Sequence, residues 1–77
     1  MTDDQPSATA WVAAFAGELG LEAPTDAEVE VLLELAAAAA HASERIAAPL
    51  ACWLVGRTGM PLADALDLAR RVVAPPP

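Results

Sequence analysis

The sequence predicts an all-α protein, a compact bundle of three to four short helices. Alanine supplies 20 of the 77 residues, and alanine is the strongest helix former because it loses no side-chain entropy. Residues that favour strands are scarce, with no tyrosine and one phenylalanine. Apolar residues recur every three to four positions. A chain this short forms one domain with a small core, so a partner or a second copy would add stability.

Helix 1 is predicted over residues 8–19. Ser7 is a suitable N-cap, and Gly20 is a typical stop because glycine adopts the left-handed conformation easily. Large apolar side chains follow at helical spacing: Trp11, Val12, Phe15 and Leu19.

Helix 2 is predicted from Asp26 to about Ser43 or Arg45. The tetrapeptide TDAE, which starts at Thr25, matches a capping box, in which Thr25 and Glu28 each satisfy a backbone amide of the other. The expected apolar stripe consists of Val29, Leu32, Leu33, Ala36 and Ala40.

Helix 3 is predicted over residues 49–57, because proline fits the first turn of a helix. It is apolar on nearly all sides, which predicts a central, buried helix. Helix 4 is predicted to begin at Pro61 and to continue to Val73, with an ion pair between Asp67 and Arg71 one turn apart.

The domain organisation predicted is a disordered acidic lead over residues 1–6, one helical domain over 7–74 and a proline tail over 75–77. The net charge of −7, with four arginines and no lysine, disfavours nucleic acid or an anionic membrane as a partner. The longest uncharged run, residues 46–56, is shorter than the roughly 20 residues of a membrane span. With no basic start of a signal peptide, the expectation is a cytoplasmic protein.

His41 is the only histidine, and it lies in a polar stripe of helix 2. At 100° per residue, Glu30, Glu34, His41 and Arg45 fall within about 60° of one another. Such a stripe can carry a general base or a ligand contact. It is also what an ordinary solvated helix face looks like.

Other chemistry has weaker support in the sequence. His41 and Glu44 are three residues apart, but no second histidine or cysteine pair completes a metal site. Cys52 is the only cysteine and lies among apolar residues, where a thiol is usually a small core side chain. The glycine pairs in GELG and GRTG match no phosphate-binding loop. We therefore expect no catalytic residues, metal or cofactor, and we expect both tryptophans in the core unless they mark an interface.

The corner between helices 2 and 3 is the remaining candidate. Arg45 can bond free carbonyl groups at the end of helix 2, which explains most of ERIAAP structurally. The alternative is an interaction or ligand-binding corner formed by Glu34, His41, Glu44, Arg45 and Pro49.

The segment AHASERIAAPLACWLVGRTG, together with the tryptophan-bearing helix WVAAFAGELGL, resembles a bacterial family of small helical domains of unknown function. The resemblance covers roughly residues 10–73. It departs at Ile46, where a proline is expected, and at Trp53, where a phenylalanine is expected. Members of that family occur alone or fused to the C-terminus of molybdenum cofactor guanylyltransferases, which join GMP to molybdopterin. The resemblance implies a context and no catalytic residues.

Three functions remain open. The first is a non-enzymatic accessory or protein-interaction module linked to molybdenum cofactor maturation, with the guanylyltransferase as partner. The second is a ligand-binding or catalytic protein that uses Glu34, His41 and Arg45, which requires those side chains to converge on a cavity. The third is a structural bundle that self-associates, for example as a homodimer.

Overall fold

Four helices and no strand make up residues 7–73, the part of the chain that this computed structural model describes. The predicted all-α class is therefore confirmed, and the predicted acidic lead and proline tail lie outside the described residues. The helices are, in order, α1 (Ala8–Leu19), α2 (Asp26–Ala42), α3 (Ala47–Thr58) and α4 (Leu62–Arg71).

The ends of α1 and the start of α2 follow from their capping residues, as predicted. The Ser7 hydroxyl accepts a hydrogen bond from the Ala10 amide at 3.1 Å. Gly20 has a φ of 75°, and the Leu21 amide reaches back to the Ala16 carbonyl, which is the Schellman arrangement. At α2, Thr25 Oγ1 accepts from the Glu28 amide at 3.1 Å and Glu28 Oε1 accepts from the Thr25 amide at 2.8 Å.

The ends of α3 and α4 differ from the prediction. α3 begins at Ala47, two residues before Pro49, because the first amides of a helix need no partner inside it and proline is tolerated there. α4 begins after Pro61 and ends at Arg71, because Val72 is extended with a ψ of 130°. β-branched residues have low helix propensity, so two consecutive valines do not prolong the helix.

The core lies where α2 packs against both α3 and α4. Leu35 of α2 has 0% of its surface exposed and meets the buried Ala65 and Leu66 of α4. Further side chains pack around these three and are partly buried: Val31, Ala51, Cys52, Val55, Met60 and Ala69. The central helix is therefore α2.

Two predictions about burial were wrong. All twelve residues of α3 are described and none of them is buried, so α3 is not the central helix. The apolar stripe expected to carry the core of α2 includes Leu33, which is 65% exposed, and omits Leu35. α2 is apolar on two sides, and the side that bears Leu35 and Val31 is the one that α3 and α4 cover.

Candidate functional site

The corner between α2 and α3 is an exposed turn. The Ser43 amide and hydroxyl both bond the Ala39 carbonyl, which ends α2 at Ala42. The Ala47 amide then bonds the Glu44 carbonyl at 2.9 Å and starts α3. Glu44, Arg45 and Pro49 are all exposed. These three predicted site residues therefore lie close together along one turn.

The polar stripe on α2 exists only in part. Glu30, Glu34 and His41 lie on the helix within about 40° of one another, and all are exposed. Arg45 lies beyond the end of the helix, so the helical period does not place it on the face of His41. The helix therefore groups Glu34 with His41 but does not place Arg45 beside them, as the expected grouping of the three side chains requires.

A different arginine, Arg70 of α4, takes the position beside Glu34. Its Nη2 lies 3.1 Å from Glu34 Oε1. With His41, the two line a shallow, open depression of about 270 Å³. Arg70 follows Glu34 by 36 residues, so no local pattern in the sequence predicts this ion pair. Within residues 7–73 it is the one ion pair shorter than 4.0 Å, and the predicted pair of Asp67 with Arg71 does not form.

This depression is poorly suited to catalysis. Both charged side chains of the ion pair are more than half exposed, so water screens them and the pair contributes about 1 kcal/mol at most. The Arg70 charge is already compensated by Glu34. A general base works best in a site that closes off water, and this one is open. Its geometry is that of a solvated surface between two packed helices.

Cys52 is partly buried, as its apolar sequence context predicts. The thiol packs against the core, and desolvation raises its pKa. A raised pKa leaves less thiolate, the form that reacts as a nucleophile or metal ligand. Among residues 7–73, no three histidine, cysteine, aspartate or glutamate side chains come close enough to share a metal ion.

The outward side of α3 is the most distinctive surface of the molecule. Four large apolar side chains on it are more than half exposed. With an arginine they form what we call the α3 face: Ile46, Leu50, Trp53, Leu54 and Arg57. All five lie within about 100° of the helix circumference. Trp53 is 60% exposed and Trp11 of α1 is 56% exposed, so the expectation that the two tryptophans belong to the core is wrong, and their exposure meets the stated condition for an interface.

Arg57 and Trp53 interact directly on this face. The guanidinium carbon of Arg57 lies 4.7 Å from the centre of the Trp53 ring, which is the distance range of a cation–π contact. The contact holds a large exposed ring in a defined position. It also places a positive charge at the edge of an apolar surface, although the chain as a whole carries −7.

The sequence contains the signal for the α3 face. Positions 46, 50, 53, 54 and 57 recur at helical spacing, and the opposite side of α3 bears the smaller Ala51, Cys52 and Val55, which pack against the core. A helix that is apolar all round was expected to be buried all round. Side-chain size distinguishes the two sides of α3, because its small residues allow it to approach α2 closely while its bulky residues point outward.

Comparison with known proteins identifies a family and no activity. A family model described as a domain of unknown function (DUF6457) matches residues 3–75, nearly the whole chain. The chain belongs to the DUF6457 family. No curated protein and no solved structure matches it. In the part of this DUF6457 domain that the structure describes, none of the helices combines the length and apolar character needed to cross a membrane.

Proposed function

We propose that this DUF6457 domain is a non-enzymatic protein-interaction module that docks through the α3 face. The observation that carries the proposal is the alignment of four exposed, bulky apolar side chains on one side of a helix whose other side is packed. Exposed apolar patches of this kind mark interaction sites, because isolated exposure is common but contiguous exposure is not.

The composition of the α3 face fits a protein partner. Tryptophan and arginine are enriched among the residues that dominate binding energy at interfaces, and here Arg57 holds Trp53 in place. A ring that is already ordered loses less conformational entropy on binding. Burying the exposed part of each large side chain contributes roughly 1–2 kcal/mol, which is enough for four such side chains to support a specific contact.

The predicted corner extends this surface. Glu44, Arg45 and Pro49 are exposed at the N-terminal end of α3, next to Ile46. Arg45 and Arg57 therefore stand at opposite ends of an apolar strip. The expected partner offers an apolar groove with carboxylates at its two ends, because complementary charge aligns and speeds docking. Glu34 and His41 lie in the separate depression beside Arg70 and are not part of this docking surface.

The partner that we propose is a molybdenum cofactor guanylyltransferase. The support is the resemblance of AHASERIAAPLACWLVGRTG to domains that occur fused to such enzymes, and the resembling segment contains all five residues of the α3 face. A domain that is joined to an enzyme in one protein and separate in another is expected to contact that enzyme in both. The module would then act in the cytoplasm beside cofactor maturation, without a cofactor of its own.

Two tryptophan variants test the docking surface by isothermal titration calorimetry. Trp53 is 60% exposed and Trp11 is 56% exposed, so the two form a matched pair on different helices. We expect Trp53→Ala to weaken binding of the guanylyltransferase about thirtyfold, since truncation of a central tryptophan costs about 2 kcal/mol. Trp11→Ala should bind at least as tightly as the natural chain.

The opposite results would contradict the proposal. If Trp53→Ala binds as the natural chain does, the α3 face is not the docking surface. If the natural chain, shown by circular dichroism to be folded, releases no heat and shows no binding by a second method, the guanylyltransferase is not the partner.

A further inference from the structure

A second apolar surface, which nothing else within residues 7–73 covers, lies on α1 and the neighbouring side of α2. Within the twelve described residues of α1, Glu18 is the only charged one and Ala16 the only buried one. A helix that is apolar on nearly all sides is normally covered by other parts of the protein on more than one side. Five large side chains remain exposed here and define what we call the α1–α2 surface: Trp11, Val12, Phe15, Leu19 and Leu33.

An open groove of about 360 Å³ runs along this surface between the two helices. Val12 lines it from α1, and Val29, Leu32 and Leu33 line it from α2. The hydroxyl of Thr9 is the one polar side-chain group among the lining residues. Binding sites for small molecules orient their ligand with a small number of precisely placed polar groups, and those for charged metabolites need a charged partner. A groove with only one polar side-chain group is better suited to apolar side chains of a protein.

The charged side chains of the two helices that border this groove are all acidic. No arginine or lysine occurs before residue 45, while acidic residues are frequent there. Asp26 and Glu30 lie within about 60° of Leu33 on α2, and both are exposed. The surface therefore needs an occupant that is apolar with positive charge at its edge. The α3 face, with Arg57 beside Trp53, has this composition.

We propose that the occupant is a second copy of the chain, whose α3 face seats on the α1–α2 surface. In a dimer with twofold symmetry the same contact forms twice. The nine large side chains of the two surfaces are 38–67% exposed and present roughly 1,000 Å² per copy, against the roughly 800 Å² per partner of a standard interface. One surface alone offers about half of that, which falls short of a standard interface. The area thus favours the reciprocal, closed dimer.

Charge argues against the simplest alternative, in which α1 packs on α1 of the second copy. That arrangement brings two acidic N-terminal halves together, and like charges facing each other oppose association. Packing α3 on α1–α2 instead pairs the Arg57 region of one copy with the carboxylates of the other.

The inference rests on the proposed function at one point, since it uses the same α3 face. A second copy and the protein partner then compete for that face. The dimer would keep the apolar side chains covered until the partner displaces one copy.

Two surface variants and a matched control test the dimer by sedimentation equilibrium. Trp53→Ala damages the α3 face, Leu33→Ser damages the α1–α2 surface, and Leu68→Ser changes a leucine that belongs to neither surface. Leu33 and Leu68 are both exposed, so all three variants should fold, which circular dichroism checks. We expect the natural chain and Leu68→Ser to be dimers. Trp53→Ala and Leu33→Ser should each raise the dissociation constant about a hundredfold, because each removes two contacts per dimer at about tenfold each.

Mixing the two defective variants gives the most specific test. Trp53→Ala retains an intact α1–α2 surface and Leu33→Ser retains an intact α3 face. The heterodimer has one undamaged contact and carries both substitutions in the other, where the second should cost less than the first because substitutions within one contact are not additive. An equimolar mixture should therefore form a heterodimer more tightly than either variant forms a homodimer. A natural chain that is monomeric at millimolar concentration overturns the inference, as does a dimer broken by Trp11→Ala but not by Trp53→Ala. A monomer whose binding to the guanylyltransferase still depends on Trp53 would refute the dimer and leave the proposed function intact.

Discussion

Leu35 is the one side chain in residues 7–73 that is both large and fully buried, at 0% exposed. It lies where α2 meets α3 and α4, against Ala65 and Leu66. The side chains and helices around Leu35 would relax only partially into the space that Leu35→Ala leaves. We therefore expect a loss of about 3–4 kcal/mol, which combines the lost transfer free energy and the cavity term for a buried leucine.

That loss is large relative to the total stability of a chain of 77 residues. A single core of this size rarely provides more than about 3–5 kcal/mol. Leu35→Ala should thus leave much of the population unfolded at 25 °C. Urea denaturation followed by circular dichroism at 222 nm measures this directly, with the shift of the midpoint giving the change in free energy of unfolding.

Leu33→Ala is the matched control, since Leu33 lies two residues away on the same helix and is 65% exposed. Its expected cost is below about 1 kcal/mol, because most of the side chain already contacts water. Both variants should be measured at two chain concentrations, so that self-association does not contribute to the difference. Equal costs for the two variants would refute the assignment of Leu35 to the core and of Leu33 to the surface.

Three further changes have defined outcomes. Thr25→Ala removes the capping box of α2 and should cost about 1 kcal/mol in urea denaturation; no loss would mean that the box does not hold the helix end. Gly59→Ala strains a backbone with a φ of 72° and should lower the melting temperature, whereas Gly17→Ala, in the last turn of α1 where an added Cβ meets nothing within 4 Å, should not. Because burial raises the pKa of the Cys52 thiol, iodoacetamide should modify it more slowly in the folded chain than in urea at pH 8, and folding stability should decline as pH rises above the ordinary thiol pKa. Equal modification rates would contradict the burial.

The sequence predicts helix ends well where a local hydrogen bond fixes them. The start of α2 depends on Thr25 and Glu28, three residues apart, and the end of α1 depends on Gly20. Such signals act over a single turn, so they can be read from neighbouring residues. The predicted start of α3 is two residues late. Proline is permitted anywhere in the first turn, so its position alone does not identify the first residue of the helix.

Which side of a helix is buried was harder to predict, because it depends on helices far away in the chain. α2 offers two apolar sides, and only the packing of α3 and α4 selects the side with Leu35. The pairing of Glu34 with Arg70 has the same origin. The sequence indicates the corner of Glu44, Arg45 and Pro49, which stays a prediction. It does not point to the adjoining α3 face, because apolar residues of that helix are assigned to the interior.

The most direct test of the docking surface is an amide NMR titration of the ¹⁵N-labelled chain with the guanylyltransferase from the same cell. The proposal predicts that chemical-shift changes and line broadening concentrate on residues 44–57, with smaller changes on the α1–α2 surface as a second copy leaves it, and that the amides facing the depression of Glu34, His41 and Arg70 remain unperturbed. Changes centred on that depression, or a titration without change in a folded chain, would contradict the assignment of the α3 face as the surface through which this domain works.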